Sequence, residues 1–379
     1  MTSDPILPGA TIGILGGGQL GRMLAMVARR SGYRVHIYND EPNSPASHFA
    51  NKSFCGDFDD RLLLGEFAAS IDVLTFEFEN VLTEPLAGFE TKIPIRPAPH
   101  VLHTTQDRIR EKQFLKQNGI PLPRFHVIQK MNDINEGIGH VGLPAVLKTA
   151  AGGYDGKGQF VIQRADQAEE AWRLIGQRPA TLEAFVNLDC EVSVIVARGV
   201  DGQLACYDPI RNEHARHILD VSTAPCELPK ALCQQATQIA ISVATAFDLT
   251  GLICIEFFVA RDGQVLVNEI APRPHNSGHL TIEAHATNQF EQQLRAICGL
   301  PLGSTRQIRP AAMANLLGDL WEGGEPKWEK VADCPEAYLH LYDKHSVKNG
   351  RKMGHLTVCS DGAVASKQLA QSVRDSLRR

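Results

Sequence analysis

Two apolar segments joined by Asp262-Gly263 constrain the fold more than any other feature of this chain. They lie in the stretch LICIEFFVARDGQVLVNEIAPRPHNSGH, which runs from Leu252 to His279. An Asp-Gly pair between apolar runs predicts a β-hairpin with a two-residue type I′ turn. The turn fixes the register of the two strands, and this register pairs Phe258 with Val267.

The same register places Glu256 opposite Glu269. Residues that oppose each other in an antiparallel pair point to the same face, with Cβ atoms about 5 Å apart. Two like charges beside apolar neighbours repel and are poorly solvated. A divalent cation that prefers oxygen ligands, such as Mg²⁺, relieves this repulsion. The alternative is a pair of glutamates at a solvated sheet edge, or a pair in which one carboxyl group is protonated.

The composition is that of a soluble globular protein with two or three domains. The chain has 379 residues, of which 43% are apolar and 21% charged, and its net charge of −5 gives no reason to expect a nucleic-acid partner. Nine cysteines lack a CxxC or other metal-binding spacing, which favours a reducing compartment over a disulfide framework. Because no signal peptide or membrane-spanning stretch is evident, we expect a cytoplasmic protein without a membrane partner.

The first glycine-rich segment lies in a βαβ unit. Residues 11–39 read as strand, loop, helix and strand, and the loop carries a G-x-G-x-x-G match at Gly16, Gly18 and Gly21. A nicotinamide dinucleotide site is one interpretation, and a tight turn or another anion at the helix N-terminus is the alternative. Further on, Glu77 ends a predicted strand at the edge where open sheets bind ligands, although a single carboxylate there is more often a helix cap or a surface group.

A second glycine-rich loop, TAAGGYDGKGQ, lies between two predicted strands at residues 149–159. It is not a Walker A loop, because its Gly-Lys is not followed by Ser or Thr and a helix. Four glycines, with Lys148 before the loop and Lys157 within it, favour a mobile lid that binds phosphates; a flexible surface hairpin is the alternative. A later predicted strand, Thr181 to Val186, could contact an adenine edge through its backbone. Glu183 and Glu191 could accept ribose hydroxyls or be ordinary surface residues.

Two further groups of polar residues indicate anion binding. The segment RPHNSGH, residues 273–279, follows the hairpin, and Pro274 and Gly278 argue against a helical pair of zinc-binding histidines. A loop of Arg, His, Asn and Ser beside a metal site suits a small oxyanion. Later turns carry Lys344 and Arg351, which are either solvated cations or a clamp for a phosphate ester.

Four segments together resemble the 5-(carboxyamino)imidazole ribonucleotide synthase family of the ATP-grasp superfamily. They are GGGQLGRM, GGYDGKGQ, NEIAPRPHNSGH and GRKMGH, which begin at residues 16, 152, 268 and 350. The resemblance covers nearly the whole chain and implies a mixed α/β and α+β fold. Its expected parts are a Rossmann-like parallel-sheet domain at 1–103, an ATP-grasp domain at 104–302 with a lid near 124–188, and a small β-rich C-terminal domain at 303–379.

The resemblance implies ATP-dependent carboxylation of 5-aminoimidazole ribonucleotide by bicarbonate, through carboxyphosphate, in purine biosynthesis. It also implies Mg²⁺ or Mn²⁺ at Glu256 and Glu269, a homodimer, and catalytic roles for Lys148, Asp155 and Arg273. The ATP-binding residues that it implies are Arg108, Lys148, Gly153, Tyr154, Asp155, Gly156, Lys157, Gly158, Gln159, Glu183, Ala184, Phe185, Val186, Glu191, His214, Asn268 and Glu269. Those for the aminoimidazole ribonucleotide are Gln19, Leu20, Glu77, Tyr154, Asp155, Arg273, His275, Asn276, Ser277, Lys344 and Arg351.

One residue departs from the family pattern. Asp343 stands where Gly is expected, and a carboxylate there should weaken phosphate binding unless it pairs with Arg351.

The closest alternative function is that of formate-dependent glycinamide ribonucleotide transformylase, another ATP-grasp enzyme. That enzyme should carry Asp-Thr in place of Asn276-Ser277 and Glu in place of Gln19. A nicotinamide oxidoreductase leaves the lid loop and the glutamate pair unexplained. A non-catalytic nucleotide sensor has little need for a metal pair and Lys148.

Overall fold

The computed structural model describes residues 4–79, 81, 83–86, 88–152 and 157–378. These residues form one parallel sheet and two antiparallel sheets, together with the helices that cover them. Tyr154, Asp155 and the two glycines beside them, Gly153 and Gly156, lie outside the described residues. The mixed α/β and α+β fold predicted from the sequence is confirmed.

The N-terminal part is an open parallel sheet with helices on both faces. Its elements are β1 (Thr11–Leu15), α1 (Gln19–Arg30), β2 (Arg34–Asn39), β3 (Lys52–Cys55), α2 (Arg61–Ala68), β4 (Val73–Phe76) and α3 (Pro99–Thr105). The strands lie in the order β3-β2-β1-β4. Ile14 and Ile37 pack in one apolar cluster with α1, whereas Leu15 and Tyr38 pack on the opposite face with α2. Burial on both faces is why these strands are nearly continuous apolar runs.

The next part contains a small antiparallel sheet, which corresponds to the predicted lid. Its elements are α4 (Arg108–Gln117), β5 (Phe125–Ile128), α5 (Met131–Val141), β6 (Ala145–Thr149), β7 (Gln159–Ile162), α6 (Ala168–Leu174) and β8 (Ala180–Ala184). The strands lie in the order β5-β8-β6-β7. Leu147 and Leu182 of the central strands pack against Ile134 of α5 and Trp172 of α6, so the lid has an apolar core of its own.

The remaining strands form one large antiparallel sheet. The elements are β9 (Leu188–Arg198), β10 (Leu204–Cys206), β11 (Ile210–Ala215), β12 (Ile218–Ala224), α7 (Lys230–Ala246), β13 (Gly251–Ala260), β14 (Val265–Ala271), α8 (Thr281–Ala284), α9 (Gln289–Cys298), β15 (Ala311–Leu317), α10 (Glu329–Ala332), β16 (Ala337–Leu341), β17 (Lys352–Cys359) and α11 (Ala363–Ser376). The strands lie in the order β14-β13-β9-β11-β12-β15-β17-β16, with β10 beside β9. Because β15 pairs with β12, the C-terminal strands extend the sheet of the preceding segment. The boundaries at residues 103 and 302 stay a prediction.

Helix α9 joins the three parts of the chain. Phe290 and Leu294 on this helix lie in the same buried cluster as Leu24 of α1. Tyr342, from the turn after β16, belongs to that cluster as well and is 1% exposed. Gln289, the first residue of α9, also accepts from His275 N at 2.9 Å in the loop after the hairpin. The start of α1, this loop and the 342–351 turn are thereby held in one neighbourhood.

The β13–β14 turn is one residue longer than the sequence predicts. Val259 pairs with Val265, and Ala260 N donates to Gln264 O at 2.9 Å, which leaves a three-residue loop. Gly263 has φ +85° and occupies the left-handed position that such loops require. The predicted two-residue type I′ turn is therefore wrong.

A bulge at Asn268 compensates for the longer turn. The predicted Phe258–Val267 pair is wrong, since Phe257 pairs with Val267. The register then shifts by one residue. As a result, Glu256 pairs with Glu269, as predicted. A bulge adds one residue to one strand, and this added residue cancels the extra residue of the turn.

Within the described part of the chain, no helix has both the length and the apolar character needed to cross a membrane.

Candidate active site

Lys148 on β6 lies in a buried cluster with residues of β8 and β14. Its Nζ donates to Glu183 Oε2 at 2.9 Å and to Asn268 Oδ1 at 3.3 Å. The Lys148 side chain is 12% exposed, whereas that of Glu183 is 1% exposed. Three residues predicted to bind ATP are therefore brought together, and Lys148 is the member placed to reach a phosphate.

Helix α4 begins at Arg108, whose guanidinium joins the same cluster. Arg108 Nη2 lies 3.1 Å from Glu269 Oε2, and Nη1 lies 3.7 Å from Glu183 Oε1. Burial opposes the charge on the guanidinium, but the two carboxylates raise the pKa of Arg108 overall. Burial also opposes ionisation of Glu183, but Lys112, Lys148 and Arg108 lower its pKa overall, so this residue is a carboxylate surrounded by cations.

Two more residues of α4 belong to this cluster, and the sequence analysis missed both. Lys112 is fully buried, and its Nζ donates to Asn268 O at 2.6 Å. Glu111 is 3% exposed, and its Oε2 accepts from Ile270 N at 2.9 Å. Burial lowers the pKa of Lys112 and raises that of Glu111 to about 7. The available signal was spacing, because Arg108, Glu111 and Lys112 stand at i, i+3 and i+4 and so share one helix face.

The glutamate pair of the hairpin faces the same cleft. Glu269 is 44% exposed, and Glu256 is 13% exposed with its Oε1 2.8 Å from His275 Nε2. Burial disfavours both charges of that contact. Nevertheless, His275 lowers the pKa of Glu256 to about 2, while Cys254 and Glu256 raise the pKa of His275 to about 10.

This pair has the chemistry of a partial Mg²⁺ site. Among the described residues, no group of three or more His, Cys, Asp or Glu side chains could hold a metal ion by itself. Protein sites for Mg²⁺ commonly supply one or two carboxylates and leave the other positions to substrate phosphates and water. Glu256 and Glu269, opposed on one face with Arg108 beside Glu269, fit that type of site.

The loop after β14 positions one cation and one imidazole beside the glutamate pair. Arg273 Nη2 lies 2.7 Å from Glu79 Oε1, and its Nη1 donates to Pro274 O at 3.0 Å. His275 Nδ1 lies 2.9 Å from Ser277 Oγ. The structure thus holds Arg273 against Glu79 and against the backbone of its own loop.

Asn276 and Ser277 are buried, and protein groups already satisfy their side chains. Asn276 and Asn315 exchange two side-chain hydrogen bonds, with Nδ2–Oδ1 distances of 3.0 and 2.7 Å. Ser277 is 0% exposed, and its Oγ lies 2.7 Å from Ser193 Oγ. In this structure, both side chains hold the loop in place, and substrate contact by them stays a prediction.

The first glycine motif surrounds a carboxylate of the protein itself. Glu77, directly after β4, accepts from Gly18 N at 2.7 Å and from Gly21 N at 3.3 Å. Gly16 has φ +105°, and a Cβ atom there would lie 2.6 Å from Glu77 Cγ. The carboxylate thus occupies the N-terminus of α1, where a dinucleotide enzyme binds pyrophosphate. This arrangement argues against the nicotinamide interpretation.

Glu77 also marks where the three parts of the chain meet. Burial raises its pKa, whereas the two backbone N–H groups and the charges of Arg273 and Lys344 act in the opposite direction. Arg273 comes from the loop after the hairpin and Lys344 from the turn between β16 and β17. Residues from three parts of the chain therefore contribute to the electrostatic environment of this carboxylate.

A second cleft at the edge of this region is lined by Lys344, Arg351, Asn43 and Ser44. Lys344 Nζ donates to Lys352 O at 2.8 Å, which fixes the side chain. Burial, with a smaller contribution from Arg351, lowers the pKa of Lys344 to about 8. The structure thus brings together the two cations that sequence analysis assigned to a phosphate ester.

Asp343, the departure from the family pattern, does not pair with Arg351. Its Oδ2 lies 2.7 Å from His48 Nδ1 and 3.5 Å from Arg22 Nη1. Its φ is +60°, in the left-handed region that favours glycine, and this explains why Gly is expected there.

Three family models match the chain in order along its length. They describe a ribonucleotide synthetase preATP-grasp domain at residues 9–106, an ATP-grasp domain at 113–290 and a phosphoribosylaminoimidazole carboxylase C-terminal domain at 311–368. The N5-carboxyaminoimidazole ribonucleotide synthase of Bacillus subtilis is 40% identical over 357 residues, which cover 94% of this chain and 93% of that protein. The chain belongs to the N5-carboxyaminoimidazole ribonucleotide synthase family.

A solved structure and a longer relative agree with this membership. The N5-carboxyaminoimidazole synthase of Aspergillus clavatus, in complex with ADP and 5-aminoimidazole ribonucleotide, superposes with a TM-score of 0.89 at 31% identity, covering 97% of this chain and 98% of that one. A bifunctional purine synthesis protein of Dictyostelium discoideum is 41% identical over 372 residues. The chain spans 37% of the length of that protein.

The other residues that the family resemblance assigned lie around these clusters. Glu191 on β9 and His214 on β11 form an ion pair, with Oε2 2.8 Å from Nδ1, that raises the pKa of His214 even though burial opposes it. Gln19 and Leu20 begin α1, and Leu20 is buried. Lys157 and Gly158 precede β7, and Gln159 is its first residue. Ala184 ends β8, Phe185 and Val186 follow it, and Phe185 is 50% exposed. Nucleotide contacts by these residues stay predictions.

Proposed function

We propose that the protein catalyses the ATP-dependent carboxylation of 5-aminoimidazole ribonucleotide by bicarbonate. The products are N5-carboxyaminoimidazole ribonucleotide, ADP and phosphate. The observation that supports this most directly is the approach of Lys148 and Arg108 to Asn268 and Glu269 of the hairpin, which puts two cations and the glutamate pair on one cleft. The buried cations beside Lys148 supply the nucleotide end of that cleft.

In the first step, a bicarbonate oxygen attacks the γ-phosphorus of ATP, and ADP leaves. Lys148 and Arg108 supply positive charge where the transferring phosphoryl group carries negative charge. The carboxylate of Glu183 keeps both cations in place from the buried side. Arg273 holds the bicarbonate by a charge-assisted contact after releasing Glu79.

Mg²⁺ is the divalent cation that the glutamate pair would hold, with Mn²⁺ as a substitute. Glu256 and Glu269 would be its protein ligands, and it would neutralise charge on the phosphates of the nucleotide. His275, whose Nε2 lies 2.8 Å from Glu256 Oε1, orients that carboxylate.

In the second step, the exocyclic amine attacks the carboxyl carbon of carboxyphosphate, and phosphate leaves. We assign the 5′-phosphate of the aminoimidazole ribonucleotide to Lys344 and Arg351, which line one cleft, and we expect its ring to lie toward Glu77 and Arg273. Either Glu77 or Asp155 accepts the amine proton. Near-normal turnover of Asp155→Asn at saturating substrate would remove Asp155 from this role.

Because carboxyphosphate breaks down quickly in water, we assign the exclusion of solvent to the glycine-rich loop at residues 149–159, which belongs to the lid.

Transfer of labelled carbon tests this function directly. With ¹³C-bicarbonate, MgATP and 5-aminoimidazole ribonucleotide, we expect a new carbamate carbon signal that requires ATP and grows in step with ADP. ADP formation without this signal would contradict the carboxylation and leave only an ATP-hydrolysing activity.

A cytoplasmic homodimer is part of the proposal, and sedimentation analysis of the purified protein tests the dimer.

A further inference from the structure

Strand β14 is an edge strand of the large sheet, and side chains of α4 cover its outer edge. The strand order places β13 on one side of β14 and no strand on the other among the described residues. Edge strands leave N–H and C=O groups without a ladder partner. On β14, however, Val267 N donates to Pro121 O at 2.9 Å, and Ile270 N donates to Glu111 Oε2 at 2.9 Å.

The same edge carries the bulge, and Lys112 binds it. Asn268 is the extra residue, since Val267 pairs with Phe257 while Glu269 pairs with Glu256. Lys112 Nζ donates to Asn268 O at 2.6 Å and lies 3.4 Å from Val267 O. A buried carbonyl without a partner is costly, so a fully buried ammonium between these two oxygens stabilises the bulged conformation over a regular strand.

The bulge determines which side chains of β14 face the nucleotide. With it, Glu269 stands opposite Glu256 and within 3.1 Å of Arg108, and Asn268 Oδ1 lies 3.3 Å from Lys148 Nζ. Without it, the three-residue turn would pair Glu256 with Asn268 and would turn Glu269 to the opposite face, because a shift of one residue exchanges the faces of a strand.

We propose that Lys112 and Glu111 are positioning residues, which hold the β14 bulge and thereby place Glu269 and Asn268 for catalysis. This inference rests on the proposed function. Neither side chain touches the cleft, since Lys112 is 0% and Glu111 3% exposed. A purely structural role would require only that α4 remain packed, and an apolar residue of similar length at position 112 would satisfy that requirement.

Lys112→Met separates the two roles, because methionine keeps the unbranched stem and removes the ammonium. Lys116→Met is the matched control: it makes the same change one turn further along α4, at an exposed position. Leu377→Ala controls for stability, since Leu377 directly follows α11, is fully buried, and packs against strands far from β14 in the sheet order. Thermal unfolding of each variant establishes that it is folded before binding is measured.

The first readout is the affinity of the protein for Mn²⁺ in the presence of ADP, followed by electron paramagnetic resonance. Partners that orient metal ligands typically contribute about 10–100-fold to metal affinity or activity, so we expect a loss of that size in Lys112→Met. The controls should remain within about threefold of the parent protein, which corresponds to less than 1 kcal/mol. This readout needs no aminoimidazole ribonucleotide, so it remains interpretable if the proposed carboxylation is wrong.

The second readout is the partition between kcat and KM. We expect Lys112→Met to lower kcat while leaving KM for 5-aminoimidazole ribonucleotide unchanged, because the ribonucleotide binds at the far end of the cleft. Folded Lys112→Met with the Mn²⁺ affinity and kcat of Lys116→Met would overturn the inference.

Glu111 provides an independent test if Lys112→Met does not fold. Glutamine keeps an oxygen that can accept from Ile270 N, whereas leucine does not. Glu111→Gln should therefore retain at least about tenfold more Mn²⁺ affinity than Glu111→Leu. Equal losses in these two variants would overturn the positioning role.

Discussion

Glu256 pairs with Glu269 although the turn between their strands is one residue longer than this pairing requires. The three-residue loop moves the register by one position, and the bulge at Asn268 moves it back. Two local irregularities therefore produce the pairing that a regular two-residue hairpin would give. The carboxylates face the same cleft as Lys148 and Arg108, and this shared face is the basis of the metal and nucleotide assignments.

Removal of one carboxylate charge should weaken the metal-dependent step selectively. We expect Glu269→Gln to raise the Mg²⁺ concentration for half-maximal activity by about tenfold or more, since charged oxygen ligands dominate affinity for hard cations. Glutamine can still accept from Arg108, so the thermal unfolding midpoint should change little. A Mg²⁺ titration at saturating ATP measures the effect. If the Mg²⁺ concentration for half-maximal activity did not change, Glu269 would be removed from the metal site.

Lys148 should contribute to the phosphoryl transfer step. Loss of one preorganised donor at a developing charge typically lowers kcat by about 10²–10³-fold, and we expect a decrease of this size for Lys148→Met. Glu183 keeps Lys112 and Arg108 as partners, so the cluster should remain folded. The steady-state rate of ADP formation, with Lys116→Met as the control, measures this. A rate within threefold of the parent protein would contradict the assignment.

The half-buried Lys344 predicts a pH dependence of substrate capture. Its pKa is lowered to about 8, and only the ammonium form attracts phosphate, so binding is favoured below this pH and lost as the pH rises through it. The ester phosphate is already a dianion there, because its second pKa is about 6. We expect kcat/KM for 5-aminoimidazole ribonucleotide to fall above pH 8. Lys344→Arg should remove the decline, because arginine stays charged; a decline that persists in this variant would belong to another group.

Asp343 predicts a gain of affinity on substitution. Asp343→Gly removes a carboxylate next to Lys344 and relieves a backbone φ of +60°, while it breaks partly exposed contacts with His48 and Arg22. Interactions between exposed charges are worth about 0.2–1 kcal/mol. Because Asp343→Gly removes the repulsion between this carboxylate and the substrate phosphate, we expect KM for the aminoimidazole ribonucleotide to fall by up to about fivefold. Asp343→Asn is the companion variant, since it removes the charge and retains the side chain. A raised KM in both variants would mean that the carboxylate helps to shape the turn.

The hairpin shows both what periodicity predicts and what it cannot. The alternation of apolar residues around Asp262-Gly263 located the strands, and the opposed glutamates followed from it. Lys112 contacts the bulge and Glu111 contacts the same strand, and these two residues lie 156 and 159 positions earlier in the chain than their partners. A local pattern does not contain such a contact, so the details of the register were wrong although its outcome was right.

Burial explains the other differences. Glu183 could be assigned as an ordinary surface residue from sequence, yet it is 1% exposed, because three cations from two other elements enclose it. The glycine motif was compatible with a dinucleotide until Glu77 was found at the N-terminus of α1. In both cases the deciding neighbour is distant in sequence. Lys344 and Arg351, in contrast, both lie between β16 and β17 and line one cleft, as expected from the sequence, and phosphate binding by them stays a prediction.

The release of ADP from MgATP and bicarbonate, with and without 5-aminoimidazole ribonucleotide, tests the central claim most directly. The proposed carboxylation predicts slow release of ADP without the ribonucleotide and strong stimulation of ADP release when the ribonucleotide is added. Glycinamide ribonucleotide with formate should give no stimulation. Stimulation by that second pair alone would contradict the proposed carboxylation and would mean that this ATP-grasp fold serves a different ligase reaction.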